Sequence, residues 1–210
     1  MWFFKKINMR CLRSLFDDRV GAYAVIALVA AQGLLVLASW LLPAAMPEVF
    51  AKSLLSAEGI RWFMGRFAQN LSSVWLVWLL LISIAYGAVR GCGLLCYDRS
   101  FYRQRLGMRL ALVELIVFIV VLLALTVAPH AILLNVMGDL LPSTFTQSLV
   151  PYLCFMLVVM SVSFGVMSER INSLAGIYRL LTDGIRSAAP LYLYYLLIMQ
   201  LCHSIKYLFG

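Results

Sequence analysis

Five apolar stretches, each long enough to cross a lipid bilayer as a helix, constrain this chain more than any other feature. About 20 predominantly apolar residues are needed to cross the hydrocarbon core as an α-helix. The stretches are Val20–Leu42, Leu71–Val89, Met108–Ala128, Ser148–Met167 and Ala188–Phe209. Lipid offers no hydrogen bonds to an exposed backbone, so a crossing segment must satisfy its own N–H and C=O groups, as a helix does. The sequence therefore predicts an all-α integral membrane protein with five transmembrane helices.

The composition argues against a separate soluble domain. Of the 210 residues, 64% are hydrophobic and only 12% are charged, and so few charges cannot cover so much apolar surface in water. We predict a single transmembrane domain over residues 20–210 and short interfacial helices beside it. Residues 1–19 are predicted to form a basic amphipathic arm on the cytoplasmic leaflet, because apolar and basic side chains separate onto two helical faces.

Positively charged residues are divided unequally between the two sides of the predicted membrane. Thirteen of the 17 Lys and Arg residues lie on the N-terminal arm and on the connections after the second and fourth stretches, if Arg109 at the edge of the third stretch is included. Basic residues in short loops stay on the cytoplasmic side. We therefore predict that the N-terminus is inside and the C-terminus is outside. The net charge of +8 then reflects topology and attraction to anionic lipid, and no nucleic-acid partner is predicted.

Few residues of this chain are of the kinds that carry out catalysis or bind metals. His130 and His203 each lie at the outer end of a predicted span, and Cys92 and Cys96 have no third or fourth metal ligand nearby. The sequence predicts no metal site and no cofactor. It also contains no visible pairing of a nucleophile with a base, so we do not predict an enzyme.

Glu114 is the one carboxylate inside a predicted span. Ionisable residues at membrane depth are usually functional. Glu114 is, however, only six residues into Met108–Ala128, or about 9 Å along the helix axis. It could extend to the cytoplasmic surface, pair with Arg105 or Arg109, or take part in proton or cation movement. The structural interpretations are favoured over the last one.

Gln200 and His203 are the polar residues of the fifth predicted span, and they lie three residues apart on one helical face. They could line a cavity or form hydrogen bonds to a neighbouring helix, and the second arrangement is more common. We take the residues at the middle of the predicted spans to be the apolar types Leu, Ile, Val, Ala, Phe and Met. No inward-pointing polar site at mid-membrane depth is therefore predicted.

Two stretches resemble motifs of a known family. The first is Ser53–Trp62 (SLLSAEGIRW), which leads through Asn70 into the second span, and the second is Leu140–Pro151 (LLPSTFTQSLVP), which opens the fourth. In their order and predicted sides of the membrane they resemble the p-aminobenzoyl-glutamate transporter (AbgT) family. The resemblance extends in pieces over most of the chain from Ser53 to Gly210.

The resemblance implies a multi-pass protein of the bacterial cytoplasmic (inner) membrane that transports or exports p-aminobenzoyl-glutamate or a related small anionic solute. Asn70 matches the Asn of a family Asn-Phe pair, although Leu71 replaces the Phe, and Gln200 matches a family Gln. Together with Glu114 and His203, these residues are our candidates for a substrate or ion pathway.

Family members are more than twice as long and carry two re-entrant hairpins. We therefore expect a shortened member that lacks both hairpins and does not transport alone. The expected partners are the lipid bilayer and either further copies of this chain or a second membrane subunit. The alternative function is that of a non-transporting scaffold or accessory subunit of a larger complex.

The predicted orientation can be tested with reporter fusions after Gly210. We expect an alkaline phosphatase fusion to be active and a green fluorescent protein fusion to be dark, because the excess of basic residues keeps the N-terminus inside and an odd number of spans then exports the C-terminus. Phosphatase activity and whole-cell fluorescence are the measurements. The opposite pattern would show that the charge asymmetry does not set the topology.

Overall fold

The structure, a computed structural model, describes residues 18–45, 53–94, 101–127 and 144–209. These residues form seven helices, and none of them lies in a strand. The helices are α1 Asp18–Ala45, α2 Ala57–Gly65, α3 Phe67–Leu71, α4 Val74–Cys92, α5 Tyr102–Val127, α6 Thr144–Met167 and α7 Leu174–Phe209. Most of the predicted amphipathic arm lies outside the described residues, as do His130 and Cys96, whereas Asp18 and Arg19 begin α1.

Five of the helices are long and apolar enough to cross a membrane, by length and composition. The candidate spans are Arg19–Pro43, Val74–Cys92, Tyr102–Ala124, Ser148–Met167 and Leu174–Phe209. Their outward side chains are apolar and well exposed, as with Ile26 at 63% and Leu34 at 67%. An apolar surface of this extent is unfavourable in water and is suited to hydrocarbon. The prediction of an all-α membrane protein with five transmembrane helices is thus confirmed, and the orientation stays a prediction.

The last helix is longer than the predicted fifth span. That span starts at Ala188, whereas α7 begins at Leu174 and continues through Gly184 and Pro190. A proline inside a helix removes one backbone hydrogen bond, but membrane helices tolerate this loss when neighbouring groups compensate for it. Leu180 and Ala188 are both buried, so packing of this first part of α7 favours its continuation as a helix.

The chain divides into two compact units. The first unit comprises residues up to Leu76 together with those from Ala189 onward, and the second comprises Val77–Ala188. Helices α4 and α7 therefore each contribute residues to both units. The core of the second unit is formed by Ala88, Cys92, Phe164, Ile171 and Leu180.

Two glycines bring the backbones of α4 and α7 into contact within the second unit. A Cβ atom added to Gly184 would lie 2.1 Å from the carbonyl oxygen of Ser83, and one added to Gly87 would lie 2.5 Å from the Cα atom of Gly184. Small residues at such contacts allow membrane helices to approach closely. Both positions therefore exclude any larger residue without a shift of the backbone.

In the first unit, the Ser53–Trp62 motif is explained by capping and close packing. The Ser56 side chain caps α2 by accepting a hydrogen bond from the Gly59 backbone N–H at 3.0 Å. Gly59 packs so closely that a Cβ atom there would lie 2.2 Å from the Ser53 carbonyl oxygen. The buried Leu54 donates its backbone N–H to the Ser39 hydroxyl of α1 at 3.1 Å. The motif thereby attaches the segment between the first two spans to α1.

We expect Gly184→Ala to destabilise the protein by about 1–3 kcal/mol, because the new methyl group overpacks a contact between two backbones. A thermal unfolding scan of the purified protein in detergent measures the effect. Gly33→Ala is the matched control, because Gly33 lies within α1 and a Cβ atom there would have nothing within 4 Å. Equal melting temperatures for Gly184→Ala and the unsubstituted protein would contradict the close contact.

Candidate functional site

A groove in the first unit brings together two glutamine side chains from distant parts of the chain. Its volume is about 620 Å³, and its walls come from α1, α2, α3 and α7. The lining residues are Val29, Gln32, Gly33, Val36, Leu37, Phe63, Phe67, Leu196, Leu197 and Gln200. Among these described residues only Gln32 and Gln200 have polar side chains, so they determine which polar groups the groove can bind.

Gln32 occupies the middle of α1, and one end of its amide is already engaged. It lies 14 residues after Asp18 in a helix of 28 residues, about 21 Å from the helix start. Its Nε2 donates a hydrogen bond to the Ser204 hydroxyl of α7 at 3.0 Å. Its Oε1 is buried and has no hydrogen-bond partner among the described residues. Gln32 therefore presents a free acceptor.

Gln200 is 5% exposed, and neither Nε2 nor Oε1 of its amide has a hydrogen-bond partner in the described part of the chain. Leaving a buried polar group unpaired costs roughly 1–3 kcal/mol. In a bilayer, water is not available to remove this cost. The groove therefore contains an uncompensated donor and acceptor that a ligand, a water molecule or another chain would satisfy.

A chain of hydrogen bonds holds α7 against the break between α3 and α4. The Tyr195 hydroxyl donates to the Leu71 carbonyl oxygen at 2.9 Å and lies 2.6 Å from the Ser73 hydroxyl. Because a tyrosine hydroxyl has only one proton, Ser73 must donate to Tyr195. This arrangement gives the Leu71 carbonyl oxygen a hydrogen-bond donor at a point where the helix is interrupted. It also holds α7 in place at Tyr195, five residues before Gln200.

A second contact fixes α7 beyond the groove. The rings of Trp62 and Tyr207 stack with centroids 4.3 Å apart. The segment from Trp62 to Leu71 is therefore attached to α7 on both sides of Gln200. Phe63 and Phe67, whose rings are 6.3 Å apart, lie between these attachments in the chain and form the aromatic wall of the groove.

The structure separates the four candidate residues that the sequence suggested. Gln200 lines the groove, whereas His203 is half-buried and does not. Asn70 is 7% exposed and lies in α3, one turn after Phe67; its Nδ2 has no hydrogen-bond partner among the described residues. Glu114 belongs to the second unit and is not part of the groove. The four residues therefore do not form one pathway within the groove.

Glu114 lies deeper along its helix than the sequence suggested. Because α5 begins at Tyr102, Glu114 is 12 residues from its start, about 18 Å along the axis instead of about 9 Å. Its Oε2 is buried and without a hydrogen-bond partner, and no ion pair of Glu114 is present among the described residues. The expected pairing with Arg105 or Arg109 is not observed in this part of the chain.

Two residues of the site were missed by sequence reasoning. The expectation of no inward-pointing polar side chain in the middle of a span does not hold for Gln32, which lines the groove at the middle of α1. The available signal was a single Gln in the first apolar stretch, 12 residues after Val20. Ser204 was also missed, since a serine in a membrane helix commonly bonds to its own backbone. It is Ser204, which is fully buried, that receives the hydrogen bond from Gln32.

Comparison with known proteins gives one family match. The model of the AbgT putative transporter family matches residues 99–208, slightly more than half of the chain. This range contains Glu114, Gln200, His203 and Ser204, whereas Gln32 and the aromatic wall precede it. No curated protein and no solved structure matches the chain.

We expect Glu114→Gln to leave the melting temperature and the oligomeric state nearly unchanged, because Gln preserves the size of the side chain and the described structure contains no ion pair to lose. Size-exclusion chromatography and thermal unfolding measure both properties. Glu169→Gln serves as the control, since it removes an exposed ion pair with Arg103 that contributes little to stability. Loss of assembly in Glu114→Gln alone would show that the carboxylate pairs inside the bundle.

Proposed function

This chain belongs to the AbgT family of transmembrane transporters, and from that premise we propose that it serves the transport of p-aminobenzoyl-glutamate or a related small anionic solute. The family consists of transporters and not enzymes, which fits a chain whose described polar groups suggest binding more than catalysis. The bacterial inner membrane is the proposed location.

The observation that carries the proposal is the unpaired amide of Gln200 in the groove of the first unit. Small-molecule sites are typically concave and mostly apolar, occupy roughly 300–1,000 Å³, and contain a few polar groups that orient the ligand. The groove has a volume of about 620 Å³, eight apolar lining residues and two glutamines. An unpaired amide next to an apolar wall supports binding of a solute that has both an apolar ring and polar groups.

We propose further that this chain does not transport the solute alone. None of the described residues that line the groove is cationic. A carboxylate at membrane depth without a compensating charge is strongly unfavourable. The carboxylates of an anionic solute would therefore require cationic groups from another membrane subunit, another copy or a part of the chain outside the described residues.

The alternative is a non-transporting scaffold or accessory subunit of a larger complex. Polar side chains hydrogen-bond across helices in membranes, so a polar residue from another subunit would satisfy Gln32 and Gln200 as well as a solute would. The same unpaired atoms support this alternative. Transport and assembly therefore have to be measured separately.

Uptake by reconstituted liposomes tests the proposal. We expect no accumulation of radiolabelled p-aminobenzoyl-glutamate under a sodium or proton gradient with the purified chain alone, because the described groove offers no positive charge to the anion. We expect accumulation with the assembly extracted from native membranes in polymer-bounded lipid discs. Within that assembly Gln200→Leu should reduce uptake about fivefold or more, as expected for loss of a hydrogen bond to the solute.

Gln69→Leu is the control, because Gln69 is exposed on α3 and does not line the groove. Gradient-dependent uptake by the chain alone would contradict the requirement for a partner. An intact native assembly that does not take up the solute would favour the scaffold.

A further inference from the structure

The α1 side of the groove has a defined hydrogen-bonding polarity. On the α1 side, Gln32 uses its Nε2 to bind Ser204, so only its acceptor Oε1 remains. On the α7 side, both the Nε2 donor and the Oε1 acceptor of Gln200 are without a partner among the described residues. A ligand that bonds to both helices must therefore offer a donor toward Gln32, whereas toward Gln200 it can offer either an acceptor or a donor.

We infer that the groove binds a solute through an uncharged secondary amide, whose N–H bonds to Gln32 Oε1 and whose C=O accepts from Gln200 Nε2. A trans amide is planar and directs its N–H and its C=O to opposite sides, which suits two glutamines on two different helices. The inference rests on the proposed function, since p-aminobenzoyl-glutamate joins its ring to glutamate through such an amide. It specifies which part of the solute this chain recognises.

The dimensions of the groove favour a small solute over a transmembrane helix. On α1 the lining extends from Val29 to Leu37, about 12 Å along the axis. A transmembrane helix would need a contact surface approaching the thickness of the hydrocarbon core, about 30 Å. A lipid acyl chain would fit the apolar walls, but it has neither a donor nor an acceptor for the glutamines.

The aromatic wall indicates what lies beside the amide. Phe63 and Phe67 line the groove together with Gln200, and their ring centroids are 6.3 Å apart with the planes tilted by 51°. Tilted and offset arrangements are those that a further aromatic ring prefers. A flat aromatic group joined to the amide is therefore the favoured ligand, and the groove selects it by hydrogen-bond direction and not by charge.

Two neutral probes of nearly equal shape test this inference. Benzanilide contains the amide, and phenyl benzoate replaces its N–H with an ester oxygen. We expect the unsubstituted protein in lipid nanodiscs to bind tritiated benzanilide about tenfold more tightly than phenyl benzoate, because the ester leaves Gln32 Oε1 unpaired. Equal binding of the two probes in a scintillation proximity assay would overturn the inference.

Variants of the two glutamines provide the second readout. Gln32→Leu and Gln200→Leu should each bind benzanilide about tenfold more weakly, whereas the exposed control Gln69→Leu should bind it normally. Ser204→Ala removes the acceptor of Gln32 Nε2, so the preference for amide over ester should shrink. An unchanged preference in Ser204→Ala would contradict the assigned polarity.

Further outcomes separate this inference from the proposed function. If benzanilide is preferred but the native assembly does not take up p-aminobenzoyl-glutamate, the proposed function fails and the amide site stands. If the solute is taken up but Gln200→Leu has no effect on uptake or on probe binding, the amide site fails and the proposed function stands. If Gln200→Leu dissociates an oligomer without changing probe binding, another copy occupies the groove and the inference is wrong.

Discussion

The structure depends on one constraint, which is that polar groups within a bilayer must find partners inside the protein. The long helices meet it for nearly all of their backbone. Where the chain leaves a helix, side chains from other helices supply the missing hydrogen bonds. The Tyr195 hydroxyl accepts a hydrogen bond from Ser73 and donates one to the Leu71 carbonyl oxygen. The Ser39 hydroxyl accepts a hydrogen bond from the backbone N–H of Leu54. These bonds attach the segment between the first two spans to α1 and α7. The positions of the helices around the groove therefore follow from hydrogen bonds made to backbone groups where helices are interrupted.

The same constraint explains which parts of the protein were accessible from sequence. The length and apolarity of a span are local properties, so the five membrane helices could be predicted from the sequence alone. Pairing between spans is not local. Gln32 and Ser204 are 172 residues apart, and no sequence period relates them. Gln32 therefore looked like an isolated polar residue in an apolar run, and only the arrangement of α1 beside α7 within the first unit reveals its partner.

Helix ends were harder to predict than helices for a related reason. The predicted fifth span begins at Ala188, yet α7 begins at Leu174, because the packing of Leu180 and Gly184 in the second unit holds this first part of the helix. The start of α5 at Tyr102 likewise moved Glu114 to the middle of its helix. In both cases the predicted span covers only the apolar part of the helix, and the helix extends past the region that its composition marks as apolar.

The family match and the groove bear on different parts of the chain, and this has a physical consequence. Residues 99–208 match the family and supply Gln200 and Ser204, whereas Gln32, Phe63 and Phe67 lie before that range. The hydrogen bond between Gln32 and Ser204 joins the two parts and orients the Gln32 amide. A carboxamide fixed in this way is uncharged but presents its hydrogen-bond acceptor in one direction. Such an acceptor distinguishes an amide, which has an N–H to donate, from an ester of the same shape, which has none. Under the proposed function, recognition of the carboxylates, which the described lining residues do not provide, would come from other groups, so binding the amide and binding the carboxylates of one solute would be separable tasks.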